Sequence, residues 1–239
     1  MTATAAGNGP SVSCIVPVFN GAAYLEQAIA SALGQTKPPL EVILVDDGST
    51  DATPEVAGRL GSSVRYVRQA NAGPAAARNR GIELAHGDLL AFLDADDLWH
   101  PEKLERQVAR FASEPGLELL LAHFENFWVA ELAEEEARFK SHPLARARPG
   151  YTALTMLVRR ELFDRIGPFD ATVRHRDVVA WLMLATRAGV RTELMPDVLA
   201  YRRIHLDNLS RRRGPEDAAE LLALAKVMLD QRRGRPSPA

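Results

Sequence analysis

Short apolar runs alternate with helically spaced apolar positions from residue 12 to residue 113. Val12–Val16 is a nearly continuous apolar run closed by Pro17, which predicts a buried strand. Tyr24, Leu25, Ala28, Ile29 and Ala32 then recur at three- and four-residue spacing, predicting a helix over Ala22–Leu33. Glu41–Val45 predicts a second strand, and Asp51 an N-cap for a helix reaching Leu60. Val64–Val67, Pro74–Ala85 and Leu89–Leu93 continue as strand, helix and strand. Pro101 suits the first turn of a helix continued by Glu102–Ala112, where a missing N–H costs nothing.

This alternation predicts an α/β fold with a Rossmann-like, mostly parallel central sheet flanked by helices. Right-handed crossovers bring the carboxyl ends of parallel strands to one edge, where ligands of open α/β sheets bind. The residues delivered there are Pro17–Asn20, Asp46–Ser49 and Asp94–Asp97.

The second half is less regular. Leu117–Val129 reads as a strand and a bend, and Glu131–Arg148 as a charged, partly exposed stretch. Thr155–Val158 predicts a strand, Arg160–Ile166 a short helix, and Asp177–Ala188 a longer one. Val198–Arg203 predicts a late strand and Pro215–Gln231 a C-terminal helix. The expected division is a disordered leader (1–11), a first half (12–113), a second half of the same domain (114–213), and a C-terminal helix and tail (214–239).

Composition narrows the classes. Lys plus Arg number 29 and Asp plus Glu 31, for a net charge of −2, so no bulk charge argues for nucleic acid as a partner. The one cysteine, Cys14, lies in an apolar run and has no intramolecular disulfide partner. That fits a reducing, cytoplasmic location. The leader has no basic region followed by an apolar stretch, so no signal peptide is expected. No run approaches the ~18 apolar residues of a spanning helix; peripheral membrane contact is left open.

Chemistry enters with Asp94-Ala95-Asp96-Asp97, directly after the fourth strand. Clustered carboxylates at a buried strand end are costly without a cation, and oxygen ligands of this kind suit Mg²⁺ or Mn²⁺ shared with substrate phosphates. Asp46-Asp47-Gly48-Ser49 ends the second strand with a carboxylate available to a base or ribose. Asn71-Ala72-Gly73-Pro74 turns into a helix carrying Arg78, where Gly73 permits close backbone approach and Arg78 is a candidate for a phosphate or base.

Four segments together resemble a family 2 glycosyltransferase of the GT-A fold. They are Val12–Asn20, Val45–Asp51, Asn71–Pro74 through Arg78-Asn79-Arg80-Gly81, and Gly87-Asp88 through Asp97. The resemblance implies that Pro17, Phe19, Asn20 and Asp47 cradle the nucleoside, with Gly73 and Arg78 supporting it. It places Asp94 and Ala95 at the ribose and diphosphate, and Asp96 as the metal ligand. Further along, Gly167-Pro168-Phe169-Asp170 and Asp177 followed by Trp181 match the family's later block. There Asp177 takes the position of the catalytic base, while the family's neighbouring Glu is replaced by Arg176, and Val179 and Ala180 stand where acidic residues are usual. Tyr201–Ser210 is similar to the family's closing run, which makes His205 a second candidate metal ligand and Arg202, Arg203 and Arg211–Arg213 candidates for neutralising the diphosphate.

The implied reaction is an inverting, metal-dependent transfer from a nucleotide-diphosphate sugar, a UDP-sugar by family analogy, to an acceptor hydroxyl. The acceptor side falls to Leu117–Tyr151, with Phe124, Phe127, Trp128 and Glu134–Glu136; glycan, lipid-linked sugar, peptide and small molecule remain open. The alternative is a degenerate sugar-nucleotide-binding or scaffold protein without transfer. A dinucleotide oxidoreductase is disfavoured because no Gly-x-Gly-x-x-Gly follows the first strand.

Overall fold

A computed structural model describes residues 9–139, 142, 147–173, 176–208 and 211. The expected C-terminal helix Pro215–Gln231, most of the leader, and Arg212 and Arg213 lie outside the described residues.

Four strands, β1 (Val12–Val18), β2 (Glu41–Asp46), β3 (Arg65–Arg68) and β4 (Leu89–Phe92), pair in parallel in the order β3-β2-β1-β4. Helices α1 (Leu25–Leu33), α2 (Thr53–Leu60) and α3 (Pro74–Leu84) connect them. The α/β alternation read from the sequence is present, with boundaries moved by one to three residues. Asp51 lies one residue ahead of the α2 N-cap, Ala52, yet its Oδ1 still accepts the Thr53 N–H at 3.0 Å. Pro101 precedes α4 (Lys103–Ser113) rather than sitting in its first turn.

The sheet continues through β8 (Leu157–Arg159), β6 (Leu119–Trp128), β9 (Thr192–Ile204) and β5 (Leu98–Trp99), with β7 (Arg148–Pro149) on β6. β8 is antiparallel to β4 and β6, whereas β9 runs parallel to β6. Helices α5 (Ala133–Phe139), α6 (Glu161–Ile166) and α7 (Asp177–Arg187) complete this half. Three elements exceed the expectation: β5, β7 and α5 were not predicted, and β9 starts six residues before Val198.

Two apolar layers sandwich the sheet, as the strand alternation requires. On one face Cys14 and Val16 of β1 meet Leu25, Ala28 and Ile29 of α1 and Leu104 and Val108 of α4. On the other, Ile15 meets α3 and the aromatic group Phe92, Phe163, Phe169 and Trp181. α3 lies so close to β1 that a Cβ on Gly81 would stand 2.3 Å from Ile15 Cγ2. Lys103 is wholly buried in the first layer, its ammonium donating to Gln107 Oε1 at 2.7 Å and lying 4.5 Å from the Trp99 ring centroid. No helix among the described residues is long and apolar enough to cross a membrane.

Candidate active site

Parallel strands with helical crossovers place the ends of β1, β2 and β4 around one cleft of about 1670 Å³. Pro17 and Phe19 line it, Phe19 being 52% exposed. Asn20, at φ 52°, spends its side chain on the neighbouring turn: Oδ1 accepts the Thr50 N–H at 2.8 Å, and its own N–H goes to Ser49 Oγ at 2.9 Å. Asparagine tolerates this left-handed conformation better than most residues.

The two aspartates ending β2 divide their work. Asp46 is fully buried and holds its own turn, accepting the Ser49 N–H at 2.8 Å and the Tyr66 hydroxyl at 2.7 Å. Asp47 faces the cleft and gathers the loop before α3. Its Oδ1 accepts from Gln69 Nε2 at 2.8 Å and the Ala72 N–H at 2.9 Å, and Oδ2 from the Gly73 N–H at 2.7 Å. Gly73 caps α3 at φ 91°, a conformation costly for residues with a Cβ, and Pro74 fills the first helical position.

Beyond β4, the three acidic side chains are not equivalent. Those of Asp94 and Asp96 are 31% and 33% exposed and face the cleft. Asp97 is buried, accepts the Arg203 N–H at 2.8 Å, and its carboxyl is pushed well up by burial and by Asp96 and Asp94. Ala95, small and buried between them, lines the cleft floor.

Asp96 Oδ2 lies 3.0 Å from His205 Nε2 and 3.3 Å from Asn208 Nδ2. Asn208 fixes this corner by accepting the His205 N–H at 2.7 Å, and Tyr24 packs on the imidazole at 4.8 Å between centroids. Asn208 lies in the run Tyr201–Ser210 that resembles the family's closing segment, but nothing in the sequence assigned it a role of its own. Among the described residues no three His, Cys, Asp or Glu side chains form a group able to hold a metal ion. At this corner one carboxylate and one imidazole stand in contact.

Arg78 and Asp177 are both buried. The guanidinium spans two carboxylates, Nη2 donating to Asp94 Oδ1 and Nη1 to Asp177 Oδ2, each at 2.8 Å. Burial disfavours its charge, but Asp94 and Asp177 outweigh burial and raise its pKa. Asp177 is the first residue of α7, with Arg176 at the N-cap. Burial lifts its carboxyl above the usual range; Arg78 opposes this and Asp94 adds to it. One cation shared between two carboxylates does not fully compensate either.

Other candidates sit elsewhere. Arg203 does not reach the cleft floor: Nε donates to the Asp96 carbonyl at 2.8 Å, Nη2 to Gln27 at 2.8 Å, and the guanidinium lies between the Tyr24 and Phe127 rings. Phe127 is thus occupied, and Trp128 stacks on Phe139 and bonds Glu135. Glu135 also takes Arg211 at 2.6 Å. Of the anticipated acceptor-side aromatics, Phe124 lines the cleft, joined by Tyr151, Arg148, Arg176 and Arg202.

Residues 13–169 match the family described as "Glycosyl transferase family 2". The chain belongs to this family. An uncharacterised glycosyltransferase of Rickettsia typhi is 30% identical over 216 residues, covering 82% of this chain and 64% of its own length. One from Haemophilus influenzae is 45% identical over 105 residues, 42% of each chain. The chain thus spans less than two thirds of these family members' length. Among solved structures, S. aureus TarS residues 1–349 in complex with UDP-GlcNAc superposes at a TM-score of 0.70 with 23% identity, over 92% of this chain and 66% of that one. This likeness shows the shared GT-A fold.

Proposed function

We propose that this protein is an inverting, metal-dependent glycosyltransferase that moves a sugar from a UDP-sugar to an acceptor hydroxyl. The observation that carries the reading is convergence: the β1 end, Asp47, Asp94, Asp96 and Asp177 meet in one cleft, although they come from four separate stretches of chain. TarS, of the same fold, has been solved with UDP and with UDP-GlcNAc, which supports a uridine donor.

Pro17 and the exposed Phe19 offer apolar contact to the nucleoside. Asp47 Oδ2 accepts one hydrogen bond from the protein and retains capacity for an N–H of the base. Asp96 and His205 would hold Mn²⁺ or Mg²⁺, which when bound supplies positive charge against the leaving diphosphate. Arg78 fixes Asp177 in place while tying it to Asp94. Asp177 takes the acceptor hydroxyl's proton on a carboxylate oxygen as the hydroxyl oxygen bonds to the anomeric carbon and the diphosphate departs from the opposite face. A carboxyl raised above its ordinary range is a better base for this step than an exposed one.

A thermal-shift panel of nucleoside diphosphates and nucleotide sugars, with and without Mn²⁺, tests the reading. A ligand at a hundred times its Kd adds ~2.7 kcal/mol of stability. Stabilisation by UDP or a UDP-sugar, enhanced by Mn²⁺, is expected; no response to any of them overturns the proposal. Binding without hydrolysis or transfer would favour the non-catalytic binder.

A further inference from the structure

Resting on the transferase reading, we infer that the cleft takes an anionic acceptor, a sugar or polyol bearing phosphate or carboxylate, held by Arg148 and Arg176. Asp47, Asp94 and Asp96 stand at the ends of β2 and β4, with Arg78, Asp97, Asp177 and Asp207 also on the lining, whereas Arg148, Arg176 and Arg202 come from β7, the residue before α7, and β9.

Strand register brings two of these cations together. Arg148 pairs with Phe124 and Arg202 with Asn126, and positions two apart on β6 share a face. Arg148 sits 5.1 Å from the Phe124 ring centroid, and both burial and Arg202 push its pKa down. Among the described residues neither Arg148 nor Arg176 has a carboxylate partner. Among the described residues the Arg176 Nε–H, like that of Arg78, is buried without a hydrogen-bond acceptor. Buried donors are almost always satisfied, so this one points to a ligand atom.

The donor diphosphate is the other anion in the cleft, and the proposed inverting displacement separates it from Arg176. In an inverting displacement the base and the leaving group lie on opposite faces of the anomeric carbon. Arg176 adjoins the base, Asp177, and so belongs to the acceptor face. An anionic group held there would orient a nearby hydroxyl toward Asp177. Tyr151, 58% exposed on the same cleft, offers its ring to the sugar.

The test is calorimetric titration of the protein, free and saturated with UDP and Mn²⁺, with glucose 6-phosphate, glucuronate and glucose at constant ionic strength. The anionic sugars should bind at least ~10-fold more tightly than glucose to the UDP-saturated protein. Arg148→Gln and Arg176→Gln should each erase most of that difference, and Arg176→Lys should restore part of it. Equal affinity for charged and neutral sugars overturns the inference, as does weakened UDP binding in Arg176→Gln, which would put the guanidinium on the donor. A parallel titration with UDP-glucuronate and UDP-glucose separates the remaining source of charge: a preference for the acidic donor that depends on Arg176 also overturns it. UDP binding without anion preference sinks this inference alone; anion preference without UDP binding sinks the transferase reading and leaves the anion site standing.

Discussion

Arg78 Nη1 donates to Asp177 Oδ2 at 2.8 Å, joining residues 99 positions apart in the chain. The same guanidinium holds Asp94, so it links the residues that follow β4 to the proposed base. Arg78→Ala would leave two carboxylates facing each other, one of them buried. Loss of one partner of a buried pair costs about 3–5 kcal/mol; Asp94 is partly exposed, so a loss of about 2–4 kcal/mol in urea unfolding is expected, with transfer reduced further. A stability change below 1 kcal/mol would show that the clamp does not hold the cleft together.

Asp177→Asn removes the proposed base while keeping the shape. Transfer should fall by about 10²–10⁴-fold, the usual worth of a general base, with UDP-sugar affinity retained. Since the base must be ionised and its carboxyl is raised by burial, the acidic limb of kcat/KM should lie above the ordinary carboxylate range. Activity is lost as pH falls through that limb. Unchanged turnover in the variant would move the base elsewhere.

The Asp96 side chain is a third exposed, and among the described residues its carboxylate hydrogen-bonds to His205 and Asn208. Asp96→Ala should therefore change stability by less than ~1 kcal/mol, as surface substitutions do. It should abolish the Mn²⁺ dependence of donor binding and all transfer. Full activity in the variant, or in excess chelator, contradicts a metal role.

How much of this was legible depended on distance along the chain. β1, β2 and β4 announce themselves as apolar runs because both faces of a parallel sheet are covered. The turn at Gly73-Pro74 is equally local. β9 was half missed because Pro196 and Asp197 interrupt its first part, where its register against β6 also shifts. The two-residue β5 has no periodicity to read. The site divided in the same way: strand ends located Asp47, Asp94 and Asp96, and family resemblance added Asp177 and His205. Nothing local told that Arg78 would be clamped by two carboxylates, or that Arg203 would turn onto Gln27 and the Asp96 carbonyl. Those contacts depend on how the halves of the sheet meet.

Lys103 offers a prediction independent of the cleft. Burial lowers its pKa from 10.5 to about 7. Between those values the unfolded chain binds a proton that the folded chain does not, so stability contributed by this group rises with pH. Cys14 acts oppositely: burial holds its thiol up to about 12, so above pH 9 the unfolded chain loses a proton the folded one keeps, and stability falls. The clean window is therefore pH 7 to 8.5. Lys103→Met retains most of the volume and removes the buried amine, at the cost of its hydrogen bonds to Gln107 Oε1 and the Met156 carbonyl. The variant's stability relative to wild type should be greatest near pH 7 and decline toward pH 8.5, because only wild type gains stability over that interval. Its Tm should also rise less than wild type's between pH 7 and 8.5. An equal rise in both proteins would mean that Lys103 stays protonated in the fold across this range.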